Sequence, residues 1–176
     1  AAGMVRAAER AHAIGAEAIQ VFTDNPTAWK RRAEPPAELE AFRMRARDLG
    51  IGPIAVHASY LVNLGGPDDD LHARSVELLA SELAVAPAFG ARFVNVHVGS
   101  HKGAGLAFGV GRVAEGVARA LEASAAREGP LLVLENSAGG GGGIGVSLDE
   151  LERILDEVAA RGVPSDRVGI CLDTAH

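Results

Sequence analysis

Five short apolar runs recur along the chain at near-even intervals: Ala18–Phe22, Pro53–His57, Phe93–Val98, Leu131–Glu135 and Val168–Asp173. Each is nearly continuous in hydrophobicity and carries β-branched residues, as a parallel strand covered on both faces requires. A strand with one wet face would alternate instead. The segments between them have helical periodicity. Met4–Ile14 forms the first. Leu39, Phe42, Ala46 and Leu49 follow Pro35-Pro36, and Gly50 ends that segment. Asp68–Asp70 are placed to cap a helix carrying Val76, Leu79, Leu83 and Ala86, stopped by Gly90. Val110, Val113, Val117 and Leu121 mark the next. Ser147 with Glu150 forms a capping box before Leu148, Leu151, Leu155 and Val158, closed by Gly162.

Helix and strand thus alternate without a break, which predicts an α/β fold with a parallel sheet and helices outside it. A closed TIM-type (β/α)8 barrel has about eight of each element in about 250 residues; this chain supplies about five βα units in 176 residues. The chain opens within a helical pattern and stops directly after a buried strand. It is therefore expected to be one domain, residues 1–176, an internal fragment of a barrel lacking the first strand and the last two or so βα units.

Composition enters as an exclusion. No apolar run is long enough to span a bilayer, and no secretory leader precedes the first helix. A single cysteine, Cys171, excludes a disulfide framework and points to a reducing cytoplasm. The formal net charge of −6 argues against a broadly basic nucleic-acid surface. It does not exclude a local one, particularly if some acids bind divalent cations.

Active sites of α/β sheets and barrels form at the C-terminal ends of the strands. Here those ends carry His57, His97, Glu135 and Asp173, separated by 40, 38 and 38 residues, one βα unit each. His176 lies three residues beyond Asp173. Three histidines and two carboxylates on one rim suit zinc or a similar borderline divalent ion. Taken singly, each has a structural reading: a hydrogen-bonded histidine, or a carboxylate paired with a neighbouring base. His12 and His72 fall within helical patterns and read as surface residues, and His101 lies in a loop. Gly140–Gly145 satisfies G-x-G-x-x-G only because it is a glycine run, and no Lys-Ser or Lys-Thr follows. It reads as a flexible rim loop.

Five segments then resemble, in order, signature segments of the endonuclease IV family: Phe22-Thr-Asp-Asn-Pro-Thr-Ala-Trp29, His57-Ala-Ser-Tyr-Leu-Val-Asn-Leu64, Asn95-Val-His-Val-Gly-Ser100, Leu134-Glu-Asn-Ser-Ala-Gly139 and Cys171-Leu-Asp-Thr-Ala-His176. The resemblance implies a (β/α)8 barrel with three zinc ions at its mouth, open to replacement by manganese or iron. It implies cleavage of double-stranded DNA 5′ to an abasic site by a protein that is monomeric when complete. It assigns His57, His97 and Glu135 to one ion, Glu135 and Asp173 to a second, and His176 to a third. Glu135, bridging two ions, is the catalytic residue; the remaining ligands belong to later strands, so the fragment alone is expected to be inactive. Tyr60, Leu61 and Asn25 correspond to DNA-contacting positions. Thr27 stands where an arginine is expected, with Lys30, Arg31 and Arg32 downstream as possible compensation. The rivals are a xylose-isomerase-like sugar isomerase or epimerase using one divalent metal, and a non-catalytic binding fragment.

Overall fold

The computed structural model describes residues 3–124 and 129–176. Five helices and five strands alternate along them: α1 (Met4–Ala13), β1 (Ile19–Val21), α2 (Leu39–Asp48), β2 (Ile54–His57), α3 (Asp69–Val85), β3 (Ala91–His97), α4 (Leu106–Ala123), β4 (Leu131–Glu135), α5 (Leu148–Ala160) and β5 (Val168–Cys171). A short 3-10 turn, Ala86–Phe89, joins α3 to β3. The strands form one parallel sheet in the order β1-β2-β3-β4-β5, each beside its neighbour in sequence. This is the unidirectional winding of a TIM-type barrel, with five of its βα units present.

The helices start and stop for local reasons. The Asp68 carboxylate accepts the Leu71 N–H at 2.8 Å, and Asp69 and Asp70 add negative charge to the first turn of α3. Ser147 Oγ accepts from the Glu150 N–H, as the capping-box pattern requires. The return arm differs from the expected pattern: Glu150 Oε2 accepts the N–H groups of Gly145 and Val146, not that of Ser147. The helix start thereby holds the end of the glycine run. The backbone beyond α2 and α5 turns left-handed at Gly50 and Gly162, as expected of those stop signals.

Packing follows the apolar stripes. Val110, Val113, Val117 and Leu121 of α4 are all buried, and each contributes on the order of 1.5–3 kcal/mol by leaving water. Val94, Val96, Leu132 and Leu134 point outward from the sheet into the helical layer and are buried there. Alternation then turns Phe93, Asn95, His97, Val133 and Glu135 to the opposite, lumenal face.

α3 is buried over more of its circumference than its apolar stripe predicts. His72, read as a surface residue, is 1% exposed, and its Nε2 lies 3.0 Å from the Arg112 carbonyl on α4. Burial holds its pKa below the usual 6.5, with Arg112 and Arg119 lowering it further and the Arg112 carbonyl and Glu115 opposing. A small neighbour makes room for it: a Cβ at Gly116 would lie 3.1 Å from the ring.

The register sets the site. Across β2 and β3, His57 pairs with Asn95; across β3 and β4, His97 pairs with Glu135; across β4 and β5, Glu135 pairs with Cys171. His97 therefore stands two residues above the partner of His57. Asp173 stands two above the partner of Glu135, in the turn beyond β5 and not at the strand's last residue as the sequence pattern suggested. The even step turns His57, His97 and Glu135 to the lumen, and Asp173 reaches the same group from beyond β5.

Candidate metal centre

Glu135 is the residue on which the rim converges. It is 6% exposed, and its Oε2 lies 3.5 Å from His57 Nε2 and 3.4 Å from His97 Nε2. Its Oε1 lies 3.8 Å from His176 Nδ1, while His176 Nε2 lies 3.5 Å from Asp173 Oδ2. Two groups result, His57–His97–Glu135 and Glu135–Asp173–His176, each with ligand-type atoms within 4.8 Å of one another. The resemblance assigns His176 to a third ion; here it stands inside the second group.

Two of the histidines are held in orientations that suit ligands. His57 Nδ1 donates to the Ala58 carbonyl at 2.6 Å, and His176 Nδ1 to the Asn136 carbonyl at 2.9 Å. A proton fixed on Nδ1 leaves the Nε2 lone pair directed at the carboxylates. Burial holds the His97 pKa below 6.5; Glu135 and Asp173 oppose this, and His57 and His176 reinforce it. Neutral imidazole is the form that binds metals. The Ala175 N–H, 2.7 Å from Asp173 Oδ1, is the largest of the influences keeping that carboxyl below its ordinary range, with burial opposing and His176 assisting. Three imidazoles and two carboxylates within a few ångströms of one another fit a borderline divalent cation better than a purely oxygen-seeking one.

Two asparagines, neither marked by ligand chemistry in the sequence, complete the arrangement. Asn95, on β3, donates its side-chain amide to Glu135 Oε2 and is 3% exposed. Asn136 donates Nδ2 to the Asp173 carbonyl at 3.0 Å and accepts the Asp173 N–H on Oδ1 at 2.6 Å. The only sequence signal for either is its place, two residues before His97 and next to Glu135.

The rim beyond the carboxylates is built by loops. The Tyr60 ring lies 5.3 Å from Phe22 and 5.5 Å from His57, centroid to centroid, and is 61% exposed, so it is not core. Leu61 is half-buried and packs against the core. Asn25 is exposed, and its Oδ1 accepts the N–H and hydroxyl of Thr27. The position where an arginine was expected thus closes a turn instead. Pro26 joins the two loops by accepting from the Tyr60 N–H and the Ser59 hydroxyl.

Of the basic triplet, one member is committed inward and one is paired at the surface. Arg31 pairs with Glu82, which is 1% exposed and also takes the Thr23 hydroxyl. Arg32 pairs with Asp24, whose pKa falls to about 2: burial pushes it up, but bonds from the Arg32 side chain and backbone and from the Asn25 N–H outweigh that. Lys30 remains exposed.

The glycine run, read as a flexible rim loop, bonds to the loop after β3. Its carbonyls at Gly141 and Gly142 accept from Ser100 Oγ and the His101 N–H, and Ile144 donates its N–H to the Gly99 carbonyl. The Ile144 side chain is fully buried, lying against Gly65 and Gly109. His101 Nδ1 accepts from the Gly103 and Gly105 N–H groups, a structural task.

Comparison with known proteins bears on the same features. A family profile described as xylose isomerase-like TIM barrel matches residues 8–176. A probable endonuclease 4 of Halothermothrix orenii is 36% identical over 176 residues, covering 100% of this chain and 61% of the relative. An endonuclease 4 of Thermus thermophilus is 38% identical over 174 residues, covering 99% of this chain and 58% of the relative. The crystal structure of an endonuclease IV from a second strain of Thermus thermophilus superposes with a TM-score of 0.80 at 38% identity, over 99% of this chain and 59% of that one. The chain thus spans about three fifths of the length of the relatives it matches. An L-ribulose 3-epimerase superposes at 0.71 with 19% identity, over 97% of this chain and 55% of that one, a likeness of fold alone.

Proposed function

The chain belongs to the xylose isomerase-like TIM barrel family, and from that premise we propose that the whole protein is an endonuclease IV-type nuclease: a zinc-dependent phosphodiesterase that cuts double-stranded DNA 5′ to an abasic site. The observation that carries this reading is the convergence of His57, His97, Asp173 and His176 on the two oxygens of Glu135. A sugar isomerase built around one divalent ion has no use for that many imidazoles on a shared carboxylate. The 36–38% identity to endonuclease 4 proteins along essentially the whole chain supports it.

On this reading the chain supplies five units of an eight-unit barrel, and the remaining ligands come from beyond it. His57, His97 and Glu135 would hold one cation, and Glu135, Asp173 and His176 would offer ligands to a second. Zinc, or manganese or iron in its place, supplies Lewis acidity toward water and toward phosphate oxygens. The protein's own residues do the rest. Backbone carbonyls accept from Nδ1 of His57 and His176, which turns Nε2 of each ring toward the carboxylates. Tyr60, exposed beside His57, and Leu61 fill the gap left by a missing base, where extrusion of the sugar breaks no pairing and little stacking. Asn25 adds contact from the neighbouring loop. The acting species is a monomer, in the reducing cytoplasm that a single cysteine suits.

The test is strand cleavage of a duplex carrying one abasic-site analogue, by the intact protein with and without a chelator. A metal-dependent nick on the 5′ side, leaving a 3′-hydroxyl, is expected, and Glu135→Gln is expected to abolish it. A folded, metal-loaded protein that leaves the duplex whole sinks the proposal.

A further inference from the structure

We propose that Asn136 is a positioning residue that assembles the Glu135–Asp173–His176 group and has no comparable influence on the His57–His97–Glu135 group. The inference rests on the metal-centre reading above and concerns a residue to which that reading gives no role.

The sheet ends before the site does. The β4–β5 ladder closes at the Glu135–Cys171 pair, and β5 stops at Cys171. Asp173 lies two residues further, past the last rung, where no neighbouring strand fixes its backbone. The Asn136 side chain takes over that task. Its amide presents one donor and one acceptor, as a peptide does, and both are used on Asp173: Nδ2 to the carbonyl at 3.0 Å, Oδ1 from the N–H at 2.6 Å. A side chain thus adds one more rung to the ladder.

The main chain of the same residue does a second task. Its carbonyl accepts the His176 Nδ1 proton at 2.9 Å, which turns Nε2 toward Asp173. Asn136 is 8% exposed and adjoins Glu135 in sequence. One residue therefore registers all three members of the second group against each other. None of its side-chain bonds reaches His57 or His97. The first group has its own asparagine, Asn95, bonded to Glu135 Oε2.

The geometry explains why this position is asparagine. Aspartate would keep an acceptor for the Asp173 N–H but would set a second negative charge against the Asp173 carbonyl. Alanine would leave that N–H and C=O without partners and free the turn to swing away.

The experiment is a cobalt(II) titration of the intact protein after removal of metal by chelation, followed by d–d absorption against a competing chelator. Far-UV circular dichroism of the metal-free forms checks the fold. For Asn136→Ala we expect one class of cobalt site to weaken by about 10–100-fold, the usual scale for losing a group that orients a metal ligand. At least one other class should stay within about twofold of the parent, having lost no such group. Asn136→Asp should fall between the two, and it carries the comparison if the alanine variant does not fold. Equal weakening of every class would mean a merely structural role and overturn the inference, as would unchanged binding of all classes. Failure of the parent protein itself to bind cobalt would be distinguishable: it would remove the metal-centre reading, and this inference with it.

Discussion

Replacing Gly99 by alanine is expected to destabilise the whole protein by more than any ordinary surface change, because three loops meet at that residue. Its carbonyl accepts the Ile144 N–H, its neighbour Val98 accepts the Leu64 N–H, and its Cα faces Asn63. Two costs combine. Gly99 has φ of 99°, a region where a side chain costs about 1–2 kcal/mol. A Cβ there would also lie 2.9 Å from Asn63 Cα and closer still to its side-chain oxygen. Asn63 cannot swing aside without loss, since that oxygen accepts the Gly65 and Ser100 N–H groups. Forced overpacking of this kind costs roughly 1–3 kcal/mol. Together the two terms give about 2–5 kcal/mol, or a fall of roughly 1–2.5 M in urea midpoint for a slope near 2 kcal/mol/M. Urea unfolding of the intact protein measures it, and hydrogen exchange at the Leu64 and Ile144 amides locates it. A loss below about 1 kcal/mol with unchanged exchange at both amides would refute the reasoning.

Gly111→Ala is the opposite case: it lies within α4 with open space at its Cβ, so it should gain about 0.5–1 kcal/mol, read as a raised melting temperature. Ile144→Ala should lose about 2–5 kcal/mol and speed proteolysis at residues 138–146, since its side chain anchors the glycine run; an unchanged cleavage rate would count against that anchoring. Arg31→Ala leaves Glu82 buried without its cation and should lose about 3–5 kcal/mol in urea unfolding, whereas Lys30→Ala should be near neutral. His72 has a depressed folded pKa, so its contribution to stability is complete above about pH 6.5. That contribution is lost progressively as pH falls below 6.5 toward the folded value, because the unfolded chain takes up a proton first. His72→Gln should flatten the fall in stability as pH drops below about 6.5, as measured by urea unfolding at each pH, and an unchanged slope would exclude His72 as its source.

What the sequence made legible was whatever repeats. Hydrophobic periodicity located all ten main elements, and the 38–40-residue spacing brought His57, His97 and Glu135 onto one rim. What it hid depends on partners far away in the chain. His72 looks like a polar residue on a helix until α4 is packed over it. The glycine run looks free because composition says nothing of the Ser100–His101 backbone that pairs with it or of the cleft between Gly65 and Gly109 that receives Ile144. Arg31 reads as a surface base because Glu82, 51 positions later, shows no helical sign of facing it. Asn136 carries no ligand atom of the kind zinc takes, and its function is visible only once Asp173 has a backbone to bond.

The even steps between rim residues impose a parity rule on how such a protein can evolve. A parallel strand turns successive side chains to opposite faces, so a one-residue insertion within β3 or β4 would send His97 or Glu135 toward the helices and an aliphatic neighbour toward the lumen. Two inserted residues would restore the facing while raising the ligand by about 6–7 Å, beyond the reach of its partners. A length change that keeps the site must therefore fall outside these strands, where a residue added changes the phase of nothing at the rim.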